Sequence, residues 1–334
     1  MASAVFIAIL CLGVATAAPS HDYTLDAEWE QWKRSHEKTY SPKEEKQRRA
    51  VWEENVKMIK LHSGVNGLWT NNVTVEMNGF GDRTGEEMRK MMNDNSALSL
   101  RNGKHIQKRG DVKIPQTLDW RKEGYVTPVR RQAGCGACWA FAVAGSIEGQ
   151  LFRKTGKLNP LSVQNLVDCS RSFGTMGCKG GRIYNAFQYM KNNGGLEAEA
   201  TYPYEAKVSG IPVYRPERSV VKVTRFLVVP RNEEALMNAL VTNGPIAVGI
   251  DAKHESFMKY TGGIYHEPNC KRDSPNHSVL LVGFGYEGQE SEGRKYWLVK
   301  NSHGEEWGEK GYMKIPRDQN NYCGIASYAM YPVL

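Results

Sequence analysis

The feature that most constrains the fold is a change in sequence character at Ile114. Residues 24–63 are densely charged and show two helical patterns, which Ser41 and Pro42 separate as a helix cap and a first helical residue. After Ile114 glycine becomes frequent, and helical patterns give way after about Gly210 to alternating, strand-like ones. Helices followed by strands indicate an α+β domain of two packed halves, with a binding site expected in the cleft between them.

Residues 1–17 have the features of a secretory signal peptide. An apolar core from Val5 to Val14 is followed by Ala15-Thr16-Ala17, a small-x-small cleavage site. A buried helix is the alternative interpretation, because no Lys or Arg precedes the core. Cleavage after Ala17 would place the rest of the chain in an oxidising compartment, where cysteines favour disulfides.

Composition and charge narrow the class of partner. The chain carries 44 Lys and Arg against 36 Asp and Glu, and this net charge of +8 is scattered without a long basic run. Scattered charge is typical of a soluble surface, and attraction to acidic partners is the alternative. No run of about 18 apolar residues is present. We therefore expect neither nucleic acid nor a membrane among the partners.

The segment Cys135-Gly-Ala-Cys138, directly before an apolar helical run, narrows the chemistry most. Three interpretations are open: half of a zinc site, a redox pair, or a half-cystine beside a nucleophile. A zinc site would need a second C-x-x-C or H-x-x-x-H segment, which the sequence does not contain. A thioredoxin-type pair would need a βαβ unit around it, which the sequence does not show either. In the third interpretation Cys138 lies in the first turn of a helix, whose free N–H groups and positive end favour a thiolate.

A thiolate nucleophile needs an acid that protonates the leaving group and a third group that holds the acid. His277 opens the apolar strand SVLLVGFG, so its ring would face a cleft, although a half-buried structural histidine fits the same pattern. Asn301 stands where the strand of WLVKNS ends. A neutral amide there accepts the N–H of an imidazolium without burying another charge.

Three stretches of this chain, in order, resemble the signature blocks of papain-like cysteine peptidases, most nearly the cathepsin L type: QAGCGACWAF, NHSVLLVGFG and VKNSHGEEWGEKGY. The resemblance covers essentially everything after the signal peptide and implies a two-lobed α+β fold, with a helical left lobe and a β-barrel-like right lobe. It implies that Cys138 attacks the peptide carbonyl, that His277 transfers the proton and that Asn301 orients His277. Gln132 and the Cys138 N–H would form the oxyanion hole. The implied reaction is peptide hydrolysis through an acyl-enzyme, without a cofactor or a metal.

The resemblance also implies how the cysteines pair. Two disulfides are expected, Cys135–Cys178 and Cys270–Cys323. Cys169 normally has a partner about forty residues later, where this sequence has Ile211. We therefore predict that a third disulfide, worth about 2–4 kcal/mol, is absent and that Cys169 is unpaired.

Further positions match the substrate cleft of the family. They are Gly180, Gly181, Arg182, Ile183, Trp307 and Tyr328. The two glycines lie where an extended substrate pairs with the backbone, and Trp307 lies where the leaving-group side has a wall. Tyr328 stands where a small residue usually leaves the main pocket deep. A shallower and more polar pocket is expected, with weak cleavage of substrates that carry Phe at P2.

Departures from the family pattern leave a second class of function open. His303 replaces the tryptophan that usually shields the bond between the catalytic histidine and asparagine, so we expect that bond to be more hydrated. Together with Tyr328 and the missing disulfide, this change relaxes the usual site. A non-catalytic peptide-binding homologue is therefore the alternative to an active endopeptidase. Such departures are similar to those of divergent placental paralogues of cathepsin L.

The resemblance divides the chain into a signal peptide (1–17), an inhibitory propeptide (18–113) and a papain-like peptidase domain (114–334). Two propeptide motifs are matched, the first by Glu44, Arg48, Trp52, Asn55 and Ile59, the second by Asn78, Phe80 and Asp82. The propeptide is expected to cross the cleft in a non-cleavable direction. Loss of its carboxylate contacts at acidic pH is expected to release it.

Two glycosylation sequons complete the sequence. Asn72-Val-Thr lies in the propeptide and is expected to carry a glycan, whereas a glycan on Asn276 would block the cleft beside His277. The signal peptide and the resemblance imply passage through the secretory pathway to the lysosome, or secretion. The implied partners are protein and peptide substrates, the chain's own propeptide and cystatin-like inhibitors.

Overall fold

The computed structural model describes residues 22–64, 74–92, 112–210, 214–289 and 293–334. The expectations for the signal peptide, for Asn72 and for Ile211 concern positions outside these ranges. Within the ranges, no helix combines the length and the apolar composition that crossing a bilayer requires. Residues 22–92 are called the N-terminal region below, and residues 112–334 the C-terminal region.

Three α-helices and one short strand form the described part of the N-terminal region. They are α1 (Asp26–Ser35), α2 (Pro42–Gly64), α3 (Gly85–Met91) and β1 (Thr74–Val75). The boundary predicted at Ser41 and Pro42 is confirmed, because α2 begins at Pro42. A small core lies between α1 and α2, where Trp29 packs against Trp32 and Trp52 at ring-centroid distances of 5.2 and 5.4 Å.

The C-terminal region contains five α-helices and ten strands within its described ranges. The helices are α4 (Cys138–Thr155), α5 (Val163–Cys169), α6 (Ile183–Asn193), α7 (Glu233–Asn243) and α8 (Glu255–Met258). The strands are β2 (Leu118–Asp119), β3 (Leu196–Glu197), β4 (Ser219–Val221), β5 (Arg225–Val228), β6 (Ile246–Ile250), β7 (Tyr260–Gly262), β8 (His277–Glu287), β9 (Arg294–Lys300), β10 (Tyr312–Pro316) and β11 (Ala329–Val333). The first three helices precede most of the strands, so the predicted α+β arrangement is confirmed.

An antiparallel sheet with the strand order β10-β9-β8-β6-β11-β5 forms one lobe, and β2 pairs with β8 beside this path. We call it the sheet lobe. In its pairing with β9, Leu280 lies opposite Lys300. The start of one antiparallel strand lies beside the end of its neighbour. His277, the first residue of β8, and Asn301, the residue after β9, therefore lie at the same end of the sheet.

The second lobe, which we call the helical lobe, is built from α4, α5 and α6 around its own core, with Trp139 and Phe187 fully buried. The helix α4 contacts both lobes. A Cβ on Gly145 would lie 2.6 Å from a methyl carbon of Leu280, and one on Gly149 would lie 2.8 Å from Cδ of Pro245. Glycine at these two positions lets the helix that begins at Cys138 lie directly against the sheet lobe.

The N-terminal region docks on the sheet lobe in two ways. Its strand β1 pairs with β7 in an antiparallel manner, with Thr74 opposite Gly262. Met88 and Met91 of α3, together with Met92, pack into the core of the sheet lobe. The N-terminal region thus contributes both backbone pairing and apolar side chains to the surface of the C-terminal region.

Candidate active site

Cys138 lies at the first position of α4, and its side chain is buried. The preceding residue, Ala137, provides no side-chain cap for the first N–H groups of the helix. Such groups and the positive end of a helix dipole stabilise a negative charge at a helix start. Cys135 is bonded to Cys178 and Cys138 is in no disulfide, so the redox-pair and zinc interpretations of the C-x-x-C segment do not hold.

A hydrogen bond of 2.8 Å joins Nε2 of His277 to Oδ1 of Asn301. The same Oδ1 accepts the backbone N–H of Ser302 at 2.8 Å, which fixes the orientation of the amide. Because Oδ1 is an acceptor, Nε2 must carry the proton, and Nδ1 is the basic nitrogen of the neutral ring. The arrangement suits a histidine that exchanges protons through Nδ1.

Gln132 is buried and joins the two lobes through Cys135 on one side and Ser302 on the other. Its Nε2 donates to the carbonyl oxygens of Cys135 at 2.9 Å and Met91 at 2.8 Å. Its Oε1 accepts the hydroxyl of Ser302 at 2.7 Å, and its backbone N–H donates to the Ser302 carbonyl at 2.8 Å. Ser302 therefore orients the candidate oxyanion donor. Sequence reasoning missed this role, since nothing but its position after Asn301 marks the residue.

The N-terminal region places a backbone carbonyl on the candidate oxyanion donor. Met91 is the last residue of α3, and its carbonyl oxygen accepts the Nε2–H of Gln132. The side chains of Met91 and Met92 are both buried. This segment therefore lies directly against the side chain of Gln132.

The imidazole of His277 is buried while the N-terminal region is docked on the sheet lobe, an arrangement that we call the closed state. Its ring lies 5.4 Å from that of Phe257, in an edge-on arrangement. Burial lowers the pKa of His277 to about 4, whereas the hydrogen bond to Asn301 raises it. At neutral pH the ring is therefore uncharged while the N-terminal region is docked.

The expectation that His303 leaves the site more hydrated is wrong for this state. The His303 ring is fully buried, and the bond between His277 and Asn301 is buried with it. Phe80 of the N-terminal region lies 5.5 Å from the His303 ring, and Trp307 lies 5.8 Å from it. The sequence pattern identified the missing tryptophan, but the covering ring comes from a segment more than two hundred residues away in the chain.

The candidate pocket residues of the helical lobe lie together at the start of α6. Arg182 precedes the helix, and Ile183 is its buried first residue. Tyr328 is buried, and its hydroxyl accepts the backbone N–H of Tyr184 at 3.1 Å. The hydroxyl thus satisfies one of the free N–H groups of the helix start, which holds the ring beside Gly249.

The remaining cleft residues lie on opposite lobes. Gly180 has a φ angle of +117°, and a Cβ on Gly181 would lie 2.5 Å from Cε2 of Trp139, so both positions need glycine. Trp307 is buried in the sheet lobe and donates its Nε1–H to the carbonyl of Phe257 at 3.0 Å. The structure brings the glycines close to the Cys135–Cys178 disulfide, and Trp307 close to His303.

The other cysteines pair in the structure as the resemblance implied. Cys270 is bonded to Cys323, and Cys169 is in no disulfide. The Cys169 sulfur accepts a hydrogen bond from Asn165 at 3.4 Å, and burial raises the pKa of its thiol. Its thiol is therefore less reactive than an exposed one.

Polar contacts join the N-terminal region to the sheet lobe next to Phe257, whose ring lies against His277. Asn78 donates its Nδ2–H to the carbonyl of Met258 at 2.7 Å. Asn55 donates to the carbonyl of Gly81 at 2.8 Å, and its Oδ1 accepts a hydrogen bond from Nζ of Lys259 at 3.0 Å. Motif residues of the N-terminal region thus fold its turn and also bind the sheet lobe.

Comparison with known proteins gives the class to which these features belong. Residues 114–333 match the papain family of cysteine proteases, and residues 29–88 match the cathepsin propeptide inhibitor domain. The chain therefore belongs to the papain family of cysteine proteases and carries the inhibitory propeptide of cathepsins. The N-terminal region is called the propeptide from here on, and the C-terminal region the peptidase.

Within this family the chain is similar to the cathepsin L type. Cathepsin 7 of Rattus norvegicus is 74% identical over 334 residues, which is 100% of both chains. Procathepsin L of Rattus norvegicus is 51% identical over 334 residues, again 100% of both. The solved structure of digestive procathepsin L 3 from Tenebrio molitor larval midgut has a TM-score of 0.83 and 36% identity, over 94% of this chain and 100% of that one. The predicted family and papain-like fold are confirmed.

Proposed function

We propose that this chain is the zymogen of an endopeptidase in which the Cys138 thiolate attacks the substrate carbonyl and His277 carries the proton. The observation that carries the proposal is the hydrogen bond of 2.8 Å from Gln132 to the carbonyl of Met91. A peptide carbonyl is held by the candidate oxyanion donor, close to a cysteine at a helix start. The propeptide thus occupies the place of a substrate.

In the proposed reaction, the Cys138 sulfur forms a bond with the carbonyl carbon, and the carbonyl electron pair moves to oxygen. Gln132 and the Cys138 N–H stabilise this oxyanion, which is typically worth several kcal/mol of barrier. Nδ1 of His277 takes the thiol proton of Cys138 and gives it to the leaving amine as the carbonyl re-forms and the C–N bond breaks, which leaves a thioester. It then takes a proton from water, whose oxygen displaces the thiolate and releases the acid. Asn301 holds Nε2–H, so that Nδ1 stays the exchanging nitrogen.

An epoxide that alkylates thiolates tests this function. We expect it to label Cys138 in the activated peptidase, and we expect Cys138→Ala to abolish the labelling and to lower kcat/KM for a peptide substrate at least about a thousandfold. Cys169→Ala is the matched control, since burial raises the pKa of that thiol. A protein that binds peptides but is neither labelled nor hydrolytic would be the non-catalytic homologue instead.

We propose that acid releases the propeptide through carboxylates that hold it together. Although burial opposes ionisation, hydrogen bonds from the Thr84 N–H and Arg48 hold the pKa of Glu87 below its ordinary value. The folded propeptide thus favours the ionised carboxylate. Its contribution to stability is present above the ordinary pKa of a glutamate and is lost as pH falls through the lowered one.

Asp82 is the second carboxylate of this proposal. It is buried, accepts the hydroxyl of Tyr40 at 2.6 Å and lies 3.5 Å from Nζ of Lys38. If its charge is part of the trigger, Asp82→Asn activates at a higher pH than the parent, because the variant lacks that charge at every pH. The pH of half-maximal activation measures this effect. An unchanged value excludes Asp82 as a trigger.

For specificity we propose that Tyr328 shortens the main pocket, so that Phe at P2 is accepted poorly and smaller residues are favoured. The hydroxyl bond to Tyr184 supports this, because it fixes the ring in one position. Tyr328→Ala is expected to raise kcat/KM for a Phe-P2 substrate about 10- to 100-fold relative to an Ala-P2 substrate, since burying an aromatic ring is worth a few kcal/mol. A ratio that does not move rejects the proposal.

We propose processing in the secretory pathway, with removal of residues 1–17 and 18–113, a glycan on Asn72 and inhibition by cystatin-like proteins. Delivery to the lysosome or secretion follows. No glycan is expected on Asn276, whose Nδ2 donates to Asp251 at 2.5 Å and whose Oδ1 accepts the Ala252 N–H at 2.9 Å. Peptide mapping of the purified zymogen and of the mature form measures each of these sites.

A further inference from the structure

The active site contains a second imidazole that the proposed reaction does not use. The His303 ring is 0% exposed and lies 5.2 Å from the His277 ring, with an angle of 33° between their planes. Neither ring nitrogen of His303 has a hydrogen-bond partner among the described residues. A buried polar group without a partner is costly, and the cost is far larger when the group is charged. The protonation state of His303 therefore depends on which groups pack around its ring.

Two kinds of contact hold His303 in place. From the peptidase, Phe257 lies 6.2 Å away between ring centroids, Trp307 lies 5.8 Å away, and Arg131 forms a backbone bridge with His303. From the propeptide, the ring of Phe80 lies 5.5 Å away. The peptidase contacts remain after activation, whereas Phe80 leaves. The difference between the closed and open states at His303 is therefore the removal of one aromatic cover.

The propeptide turn that carries Phe80 is pressed onto the peptidase. Asn78 binds the Met258 carbonyl at 2.7 Å, and its Oδ1 accepts the N–H of Phe80 at 3.0 Å. A Cβ on Gly79 would lie 3.2 Å from Cγ of Glu306. A charged ring under Phe80 cannot reach water unless this turn moves away.

The charged groups around His303 disfavour a further positive charge. The groups that act on the ring itself are His277 and Arg131 of the peptidase. Glu306 of the peptidase and the propeptide groups Lys38 and Asp82 act on the neighbouring His36. Glu306 is already paired with Arg131, and Asp82 with Lys38. Burial, with His277 and Arg131, holds the pKa of His303 well below its ordinary value, although the Ser302 backbone favours the charged ring.

We propose that His303 is the acid sensor of the zymogen: a proton on its ring is incompatible with the docked Phe80, so acid shifts the propeptide turn to the open position. The inference rests on the proposed release of the propeptide at acidic pH and names a group that senses it. The closed state binds the neutral ring, and the open state binds the proton. Docking is therefore fully favoured above the pKa that the ring has in the open state, and it is weakened as pH falls below that value.

The size of the effect follows from one proton taken up on opening. Each pH unit below the pKa that the ring has in the open state favours the open state by up to about tenfold, as long as the closed state stays neutral at His303. Over two such units, His303 alone would raise the open population up to about a hundredfold. Carboxylates such as Glu87 also take up protons on opening. The contribution of His303 is therefore measured as the difference between parent and variants in how steeply the open population rises as pH falls.

Hydrogen exchange of the full-length Cys138→Ala zymogen tests the sensor, because this background cannot process itself. Exchange is followed by mass spectrometry from pH 7 to 4, corrected for intrinsic rates, in peptides over residues 76–92 and 257–263. His303→Phe keeps an aromatic ring that does not titrate, and His303→Asn keeps a polar side chain. His266→Gln is the matched control, because His266 is exposed and stacks on Tyr322 at 6.4 Å.

We expect the parent and His266→Gln to lose protection as pH falls, with both His303 variants up to about a hundredfold more protected at pH 4.5. If both variants open over the same pH range as the parent, His303 is no sensor, while acid release of the propeptide stands. If the parent stays closed down to pH 4, acid release itself is wrong. If the His303 variants are less protected than the parent at pH 7 but lose protection with the same dependence on pH, His303 has only a packing role and the proposal is overturned. Should one variant fail to fold, the other decides.

Discussion

The propeptide and the peptidase bury their aromatic side chains in different ways. In the propeptide, Trp29, Trp32 and Trp52 form a small core between two helices, while Phe80 packs into the core of the sheet lobe. In the peptidase, Trp139 lies inside the helical lobe. One region completes its packing on the surface of the other, whereas each lobe of the peptidase encloses a core. Part of the apolar surface of the propeptide is therefore buried only against the peptidase, whereas the peptidase buries Trp139 within one of its own lobes.

Buried polar groups show the same difference. At the interface, Lys259 of the peptidase meets Asn55 of the propeptide, and burial lowers the pKa of the lysine. Inside the peptidase, Glu148 accepts hydrogen bonds from Thr127, Arg130 and the Leu161 N–H. A contact between two regions is lost when they separate, and its groups return to water. A contact within one region persists.

The largest effect is expected inside the peptidase. Trp139→Ala removes a fully buried ring of the helical lobe, which typically costs about 3–5 kcal/mol. We expect a matching loss in the free energy of unfolding of the Cys138→Ala mature peptidase. Urea unfolding followed by circular dichroism measures it. An unchanged transition midpoint would contradict the packing described here.

The corresponding change in the propeptide is Trp52→Ala. Its ring is buried among Trp29, Trp32 and Arg49, so the helices α1 and α2 lose a similar amount of packing energy, about 3–5 kcal/mol. We expect activation at a higher pH and unchanged kcat/KM of the mature enzyme. Trp139→Ala is the comparison, because it affects the mature enzyme. A Trp52→Ala protein with altered mature activity would mean that the two regions do not separate as described.

A smaller effect is expected from the contact that pins the propeptide turn. Asn78→Ala leaves the Met258 carbonyl without its donor, which typically costs about 1–3 kcal/mol. We expect the zymogen to be about 5- to 150-fold leakier toward a small peptide substrate at neutral pH. Asn185→Ala is the control, since its bond to the Gly174 carbonyl is exposed and within the helical lobe. Equal leakage from the two variants would contradict a docking role for Asn78.

The last prediction concerns the number of free thiols, and it requires no substitution. Titration of the denatured, unreduced mature protein is expected to find two thiols, Cys138 and Cys169, because the other four cysteines form disulfides. In the zymogen without its signal peptide the count is expected to be the same. One thiol in the mature form would mean that Cys169 has found another partner.

The features predicted best from sequence are those that lie at the ends of local elements. The helix that begins at Cys138, the strand that begins at His277 and the strand that ends before Asn301 were all expected and are confirmed. The helix start at Pro42 was likewise predicted. Periodicity and capping act over a few residues, so a single chain segment carries enough information to specify them.

What sequence reasoning missed lies between segments that are distant in the chain. The Met91 carbonyl meets Gln132 across 41 residues, and the hydroxyl of Ser302 meets the same side chain across 170. The hydration expected at the bond between His277 and Asn301 is not found in this structure, where Phe80 from another region packs on His303. No local pattern records such a pairing, since it exists only when the lobes and the propeptide close on one another.

By itself, then, the sequence determined the reactive residue types, their order, and the elements that begin or end at Cys138, His277 and Asn301. Tertiary structure alone decided that a propeptide carbonyl accepts a hydrogen bond from Gln132, that the Tyr328 hydroxyl binds the start of α6, and that two imidazoles lie together, one of them against Phe80. The physical reason is the distance along the chain over which each kind of interaction acts. Capping and periodicity depend on neighbours a few residues apart, whereas burial and charge depend on every segment that packs around a group.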